Sequence, residues 1–291
     1  IREQERVTLV TTFDALMNTM APIEKMWENV LTLELGQLLD LKEIQAALIR
    51  MGYEKEYQVQ TMGQFSVRGG ILDVFPLTEE NPIRIELWGD EIDTIRYFDC
   101  ESQKSIENID RVSIYPAAEL VLSDEEKAGG IDKLKAEAKR VSDKLRKQMK
   151  TEEAHRVTVM ADELTEEWGE LSMYAGMDAF LSYFFDERVG ILDYFNPSDS
   201  LIFFDELTRC VEQGKLTETE FSESMKQRLA MGYILPGQMN GLFTEKEIVA
   251  KLGKYSCIAL AALDNKANGL HQLGSYGIHC QSVSPYNNSF E

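Results

Sequence analysis

Gly63 to Asp99 reads GQFSVRGGILDVFPLTEENPIRIELWGDEIDTIRYFD, and the punctuation of this stretch decides the fold. Runs of strand length at Gln64 to Arg68, Ile71 to Phe75, Ile83 to Trp88 and Ile92 to Phe98 are separated by Gly69-Gly70, Asn81-Pro82 and Gly89-Asp90. β-Branched and aromatic residues fill the runs while glycine and proline break them, a pattern of antiparallel strands joined by turns. Gly89-Asp90 has the length and chemistry of a two-residue hairpin loop, in which glycine supplies the positive φ.

Within this stretch Ile83 to Trp88, IRIELW, is the most informative strand. Period-two alternation sends Ile83, Ile85 and Leu87 to one face and Arg84, Glu86 and Trp88 to the other. With the aliphatic face in the core, Arg84 and Trp88 stand outside, about 13 Å apart at roughly 3.3 Å per residue. Trp and Arg are enriched among residues that dominate protein interfaces. The packing alternative, in which Trp88 folds over the sheet edge or meets a helical domain, carries equal weight on pattern alone. Arg68-Gly69-Gly70 is a single copy between strands, so it reads as a turn rather than an RGG nucleic-acid segment.

Working outward, Asp40-Leu41 opens a helix with Leu41, Ile44, Leu48 and Met51 on one stripe, closed by Gly52. Further towards the start, Arg6 to Thr12 has the β-branched content of a strand, and Phe13 to Met20 predicts a helix after it. Beyond the central stretch, Val112 to Tyr115 is another strand. Ser123 with Glu126 forms a capping-box pattern, weakened by Gly129-Gly130, before an amphipathic helix carrying Ile131, Leu134, Ala138, Val141 and Leu145 to about Met149. Leu201 to Asp205 and Ser256 to Ala262 read as short strands, and Glu218 to Met231 and Thr244 to Leu252 as helices, which is α/β layering.

The 291 residues suffice for two domains. No apolar run approaches the roughly 20 residues that cross a bilayer, so a soluble chain with no membrane partner is expected. Thirty Lys and Arg against 50 Asp and Glu give a formal net charge of −20, which repels a phosphate backbone at long range. The clustered basic residues from Lys133 to Lys150 share their segment with acids and read as a solvated helix face. Cys100, Cys210, Cys257 and Cys280 are far apart with no Cys-x-x-Cys pair, which argues against a zinc site or disulfide scaffold and fits a reducing cytoplasm. The chain opens on Ile1 without a signal segment and stops at Glu291 without a terminating pattern, so it reads as a piece of something longer.

Catalytic signals are sparse. LIFFDE, Leu201 to Glu206, has the outline of a strand that presents a magnesium-coordinating acid, but hydrolysis also needs a phosphate cradle of the GxxxxGK[ST] type. Gly214-Lys215 and Gly253-Lys254 both fail that pattern. His155, His271 and His279 share no metal-ligand spacing, and no GxSxG elbow is present. No catalytic, cofactor or metal residues are assigned. Two alternatives remain for the chain: a degenerate nucleotide site using Asp205 and Glu206, or direct DNA binding.

The ordered segments GQFSVRGGILDVFP, IRIELWGDEIDTIRYFD and SIYPAAEL resemble the module shared by the excision-repair protein UvrB and the transcription-repair coupling factor (Mfd) family. LSYFFDERVGILDYFNPSDSLIFFDE resembles the coupling-factor branch, and the resemblance extends over nearly the whole chain. It implies an α/β and α+β fold: a degenerate UvrB/helicase-like α/β domain interrupted by a small antiparallel-sheet module. Residues 1–29 would be the tail of the first half of the split domain, 30–120 the UvrA-binding module, 121–275 the second half and 276–291 a link to the next domain.

The resemblance further implies a non-catalytic amino-terminal region that recruits UvrA to RNA polymerase stalled at DNA lesions. ATP and magnesium would serve the parent protein, a DNA translocase, and not this part of it. RNA polymerase and DNA would be met through domains outside this chain, and other parent domains would mask the UvrA surface. The family's contact positions correspond to Arg68, Arg84 and the aromatic position held here by Trp88, and a bacterial cytoplasmic location follows.

Overall fold

The computed structural model describes residues 6–170, 177–262 and 270–278. Helices and sheets are mixed along the chain. The first elements are α1 (Phe13–Leu16), α2 (Ile23–Glu28), β1 (Leu31–Glu34) and α3 (Leu41–Arg50). Next come β2 (Glu54–Lys55), β3 (Gln64–Arg68), β4 (Ile71–Val74), β5 (Ile83–Trp88), β6 (Glu91–Phe98), β7 (Ser105–Asn108) and β8 (Arg111–Ile114). The rest are α4 (Asp124–Lys147), α5 (Thr151–Glu170), α6 (Leu181–Phe184), β9 (Leu201–Asp205), α7 (Leu207–Ala230), α8 (Glu245–Leu252) and β10 (Ser256–Leu260).

A six-stranded sheet runs in the order β2-β3-β4-β5-β6-β7, antiparallel from β3 onward, with short β2 parallel to β3. The strands form where the sequence alternates, and Gly89 closes the β5–β6 hairpin with φ of 65°. Phe65, Leu72, Val74, Ile83, Ile85 and Ile95 bury one face in a core shared with Ile44 and Leu48 of α3. That helix starts where the Asp40 carboxylate accepts from the backbone N–H of Lys42 at 2.7 Å, satisfying a donor the first turn leaves open. β1 and β8 form a separate antiparallel pair, with Leu33 opposite Val112, packed into the same core.

A second core lies in the α4–α5 hairpin, where Leu134, Ala138 and Leu145 meet Ala154, Val157 and Ala161. Ser123 and Glu126 complete the reciprocal cap of α4. The helix runs through Gly130 because the Phe184 ring occupies the space a side chain would need: a Cβ there would lie 2.1 Å from a ring carbon.

A third core joins α7 and α8 to the inner face of a parallel β9–β10 pair, and Phe13, Leu16 and Met17 from the start of the chain belong to it. Residues before the antiparallel sheet thus pack with residues after it. On the outer face of the pair, Leu201 and Phe203 of β9 and Ile258 and Leu260 of β10 are exposed. Among the described residues, no helix is long and apolar enough to cross a membrane.

Several sequence expectations need correction. Arg6–Thr12 forms no strand: its backbone finds no pairing partner among the described residues, and an unpaired extended segment cannot join a sheet. Helix after it is confined to α1, because Asn18 bridges Leu242 and Met20 bridges Val189 instead of continuing the turn. α7 begins at Leu207, eleven residues before the expected start at Glu218. The expected strand to Ala262 ends at Leu260, as β10.

Candidate partner-docking face

The sheet face turned away from α3 is built in three rows, each set by strand register. Ser66, Asp73, Arg84, Arg96 and Asn108 stand opposite one another across β3 to β7. The neighbouring row is Arg68, Ile71, Glu86 and Thr94. The third row holds Trp88 opposite Glu91, and Glu91 opposite Leu38 in the loop before α3. Directly opposed residues share a face, and so do alternate residues along a strand, so all three rows look outward together.

Asp73 organises the first two rows. Its carboxylate is only 2% exposed and receives Nε and Nη2 of Arg84, at 2.7 and 2.8 Å, and Nη2 of Arg68 at 2.7 Å. One buried carboxylate serves two guanidinium groups, so this trio carries one net positive charge. Arg84 and Arg96 oppose each other directly, and their repulsion is relieved because Arg96 turns to Glu86 while Arg84 turns to Asp73. The hydrogen bond from Arg96 is the main reason that the Glu86 carboxyl titrates below its ordinary value. The hydrogen bond to Asp73 raises the Arg84 value.

Arg84 is more enclosed than alternation implies. Its side chain is 12% exposed, with the guanidinium 4.3 Å over the Phe98 ring and Nη2 also donating to Gln103 Oε1 at 2.8 Å. Gln103 belongs to the turn that closes where the Asp99 N–H donates to Lys104, and it adopts φ of 58°, in the left-handed region. The reason is tertiary: a residue five positions beyond β6 folds back over the sheet face. Arg68 is more open, and Trp88 is 83% exposed, packed neither over the sheet edge nor onto a helical domain.

The structure therefore brings Arg68 and Arg84 onto one carboxylate and leaves Trp88 open two positions beyond Glu86 on the same face. Sequence reasoning missed Asp73, Gln103 and Leu38. Asp73 carried a usable signal, a lone acid among the aliphatic residues of β4, whereas Leu38 and Gln103 reach the face from loops.

The remaining candidates lie elsewhere. The Glu206 carboxylate accepts from the Ala262 N–H at 2.8 Å, so it ties the ends of β9 and β10 together. Gly214 sits inside α7, close against the Phe13 ring, and Gly253 caps α8, so neither Gly-Lys pair forms a strand-to-helix phosphate loop. Among the described residues, no group of His, Cys, Asp and Glu has metal-binding geometry. Cys280 and His279 lie outside the described residues.

Comparison with known proteins matches residues 31–120 to the UvrB interaction domain family. The chain is 32% identical over 231 residues to the transcription-repair-coupling factor of Bacillus subtilis (strain 168), covering 79% of this chain and 19% of that protein. It is 29% identical over 236 residues to that of Staphylococcus haemolyticus (strain JCSC1435), again 79% of this chain and 19% of the relative. With the coupling factor of Staphylococcus aureus (strain Mu50 / ATCC 700699), identity reaches 43% over 117 residues, 40% of this chain and 10% of that protein. The chain spans about a fifth of the length of the first two relatives.

Proposed function

The chain is a relative of the transcription-repair-coupling factors with a UvrB interaction domain at residues 31–120, and on that premise we propose that it recruits UvrA to sites of coupled DNA repair. The observation that carries this reading is Trp88, a large aromatic left open beside paired arginines on the sheet of that domain. Aromatic area removed from water supplies affinity at such a surface, and fixed charges supply orientation and rejection of wrong partners. The Arg68–Asp73–Arg84 trio is a locally positive spot on a chain whose formal net charge is −20, so it favours an acidic patch on the partner.

Each residue has its own role in this reading. Trp88 and Arg68 meet UvrA directly. Arg84 offers a narrow edge and mainly holds Asp73, which keeps Arg68 in place. The chain itself acts as an adaptor without catalysis or a cofactor, while RNA polymerase, DNA, ATP and magnesium belong to other domains of the longer protein. Masking of the Trp88 face by one of those domains is part of the same reading, so the chain alone binds UvrA more tightly than the full-length protein does.

Calorimetric titration of the chain with purified UvrA tests it. Saturable binding weakened about tenfold or more by Trp88→Ala, with Arg84→Ala and Arg68→Ala also weaker, is the expected result. Absence of binding by the folded wild-type chain would overturn the assignment. ATP-dependent thermal stabilisation lost on Asp205→Ala would instead favour the nucleotide-site alternative.

A further inference from the structure

The third row of the sheet face has a chemistry that the arginine rows lack. Trp88 and Leu38 are 83% and 75% exposed, and both stand opposite Glu91 on the same side of the sheet. The backbone bonds fix this arrangement: Leu39 N donates to Asp90 O at 2.7 Å and Ile92 N donates to Gln37 O at 2.9 Å. They flank Leu38 and Glu91 as a non-hydrogen-bonded pair, the type in which facing side chains come closest. With about 4.5 Å across that pair and about 5.5 Å across the hairpin pair, Leu38 and Trp88 lie roughly 10 Å apart at their Cα atoms. Glu91 is exposed between them and makes no ion pair or side-chain hydrogen bond among the described residues.

We propose that Trp88, Glu91 and Leu38 form a receiving slot for one lysine or arginine side chain of the docking partner. An aliphatic stem fits between the indole and the leucine, and its charged head meets the Glu91 carboxylate. A cation there also lies within reach of the indole face, an attraction worth about 0.5–1 kcal/mol at an exposed site. Long basic side chains suit such a site because they cover apolar surface along the stem while the head keeps a polar partner. The full footprint thus alternates in sign: the partner presents acid to the Arg68–Asp73–Arg84 trio and a base to the Trp88 row, about two residues further along the strands. That alternation sets the register of docking, because a partner displaced by one row brings one of its charges against like charge and leaves the other without its match.

This inference rests on the UvrA-docking reading and is tested beside it. The complete chain and its Leu38→Ala, Glu91→Gln, Glu91→Lys and Trp88→Ala variants are titrated with purified UvrA at several salt concentrations. All three positions are exposed loop or hairpin sites, and circular dichroism checks the fold of each variant. The slot requires Leu38→Ala and Glu91→Gln each to weaken binding about three- to tenfold. It also requires Glu91→Lys to weaken binding further, and Glu91→Gln to flatten the salt dependence. Unchanged affinity in Glu91→Gln, or tighter binding by Glu91→Lys, would overturn the slot even if Leu38→Ala were weakened. If Trp88→Ala weakens binding while Leu38→Ala and Glu91→Gln do not, the slot fails and the docking reading stands. If the wild-type chain does not bind, both fall.

Discussion

Asp73 and Arg84 are joined by two parallel hydrogen bonds, Nε to Oδ1 at 2.7 Å and Nη2 to Oδ2 at 2.8 Å, in a site where the carboxylate is almost fully buried. Because Arg68 shares the same carboxylate, the two ends of this pair are not equivalent. Asp73→Ala strands two guanidinium groups, whereas Arg84→Ala leaves Asp73 with Arg68. Breaking a buried pair from the side that leaves charge uncompensated costs about 3 kcal/mol. Urea denaturation should therefore rank Asp73→Ala as the least stable, then Arg84→Ala, then Arg68→Ala. Asp73→Ala within about 1 kcal/mol of the wild type would contradict the central role of that carboxylate.

Trp88 has the opposite character, since almost nothing in the fold depends on it. Trp88→Ala should leave stability within about 0.5 kcal/mol of the wild type. Trp168 is buried in the helical-hairpin core, so removing the open indole should shift the mean fluorescence emission to shorter wavelength. A clear loss of stability would mean that Trp88 is packed after all.

Gln103 combines a left-handed backbone with a hydrogen bond to Arg84, and two substitutions separate these contributions. Gln103→Ala loses the bond and keeps the strain; Gln103→Gly loses the bond and relieves it. The glycine variant should be the more stable of the two by about 1 kcal/mol. Equal stabilities would indicate that the turn relaxes when the side chain is removed.

Alkaline conditions test the core beneath the sheet. Burial pushes the Tyr53 phenol up to about 12, and its hydroxyl donates to Tyr115 O at 2.8 Å. A free phenol titrates near 10, so the unfolded chain releases this proton first. The contribution of the neutral phenol is fully present below about pH 10 and is lost as pH rises towards about 12. Tyr97, also pushed up to about 12 by burial and by its bond to Glu79, acts in the same direction. Tyr53→Phe should make stability fall less steeply across this window in denaturation at stepped pH. An unchanged slope would exclude Tyr53 as a source of it.

The central strands were legible because Gln64–Arg68, Ile71–Val74 and Ile83–Trp88 each stop at a turn marked by glycine or proline. Gln64–Arg68 and Ile83–Trp88 agree with expectation at both ends. β2 has two residues and β7 exposes all four of its side chains, so neither carries a hydrophobic alternation that could announce it. α5 did leave a trace, the spacing of Ala154, Val157, Ala161 and Trp168, which follows one helical stripe. Arg6–Thr12 misled because β-branched content reports what a segment can do, and strand formation also needs a neighbour.

The docking face was legible only along β5, where alternation put Arg84 and Trp88 on one side. The enclosure of Arg84 depends on Phe98 and on Gln103 folding back from a turn, and the Leu38–Glu91 bridge joins residues 53 positions apart in sequence. Such relations arise from tertiary folding, so no local window contains them.

The exposed outer face of the β9–β10 pair differs in physical character from the charged sheet face. Parallel sheets ordinarily have both faces covered, and here Leu201, Phe203, Ile258 and Leu260 meet water instead. Contact through that aliphatic and aromatic patch strengthens on mild warming and on adding sulfate, because water drives it. Contact through the arginine and glutamate rows weakens as ordinary salt is added. Temperature therefore bears mainly on contact through the apolar patch, and ordinary salt mainly on contact through the charged rows. A cool buffer of low salt weakens contact through the patch and leaves contact through the charged rows at full strength.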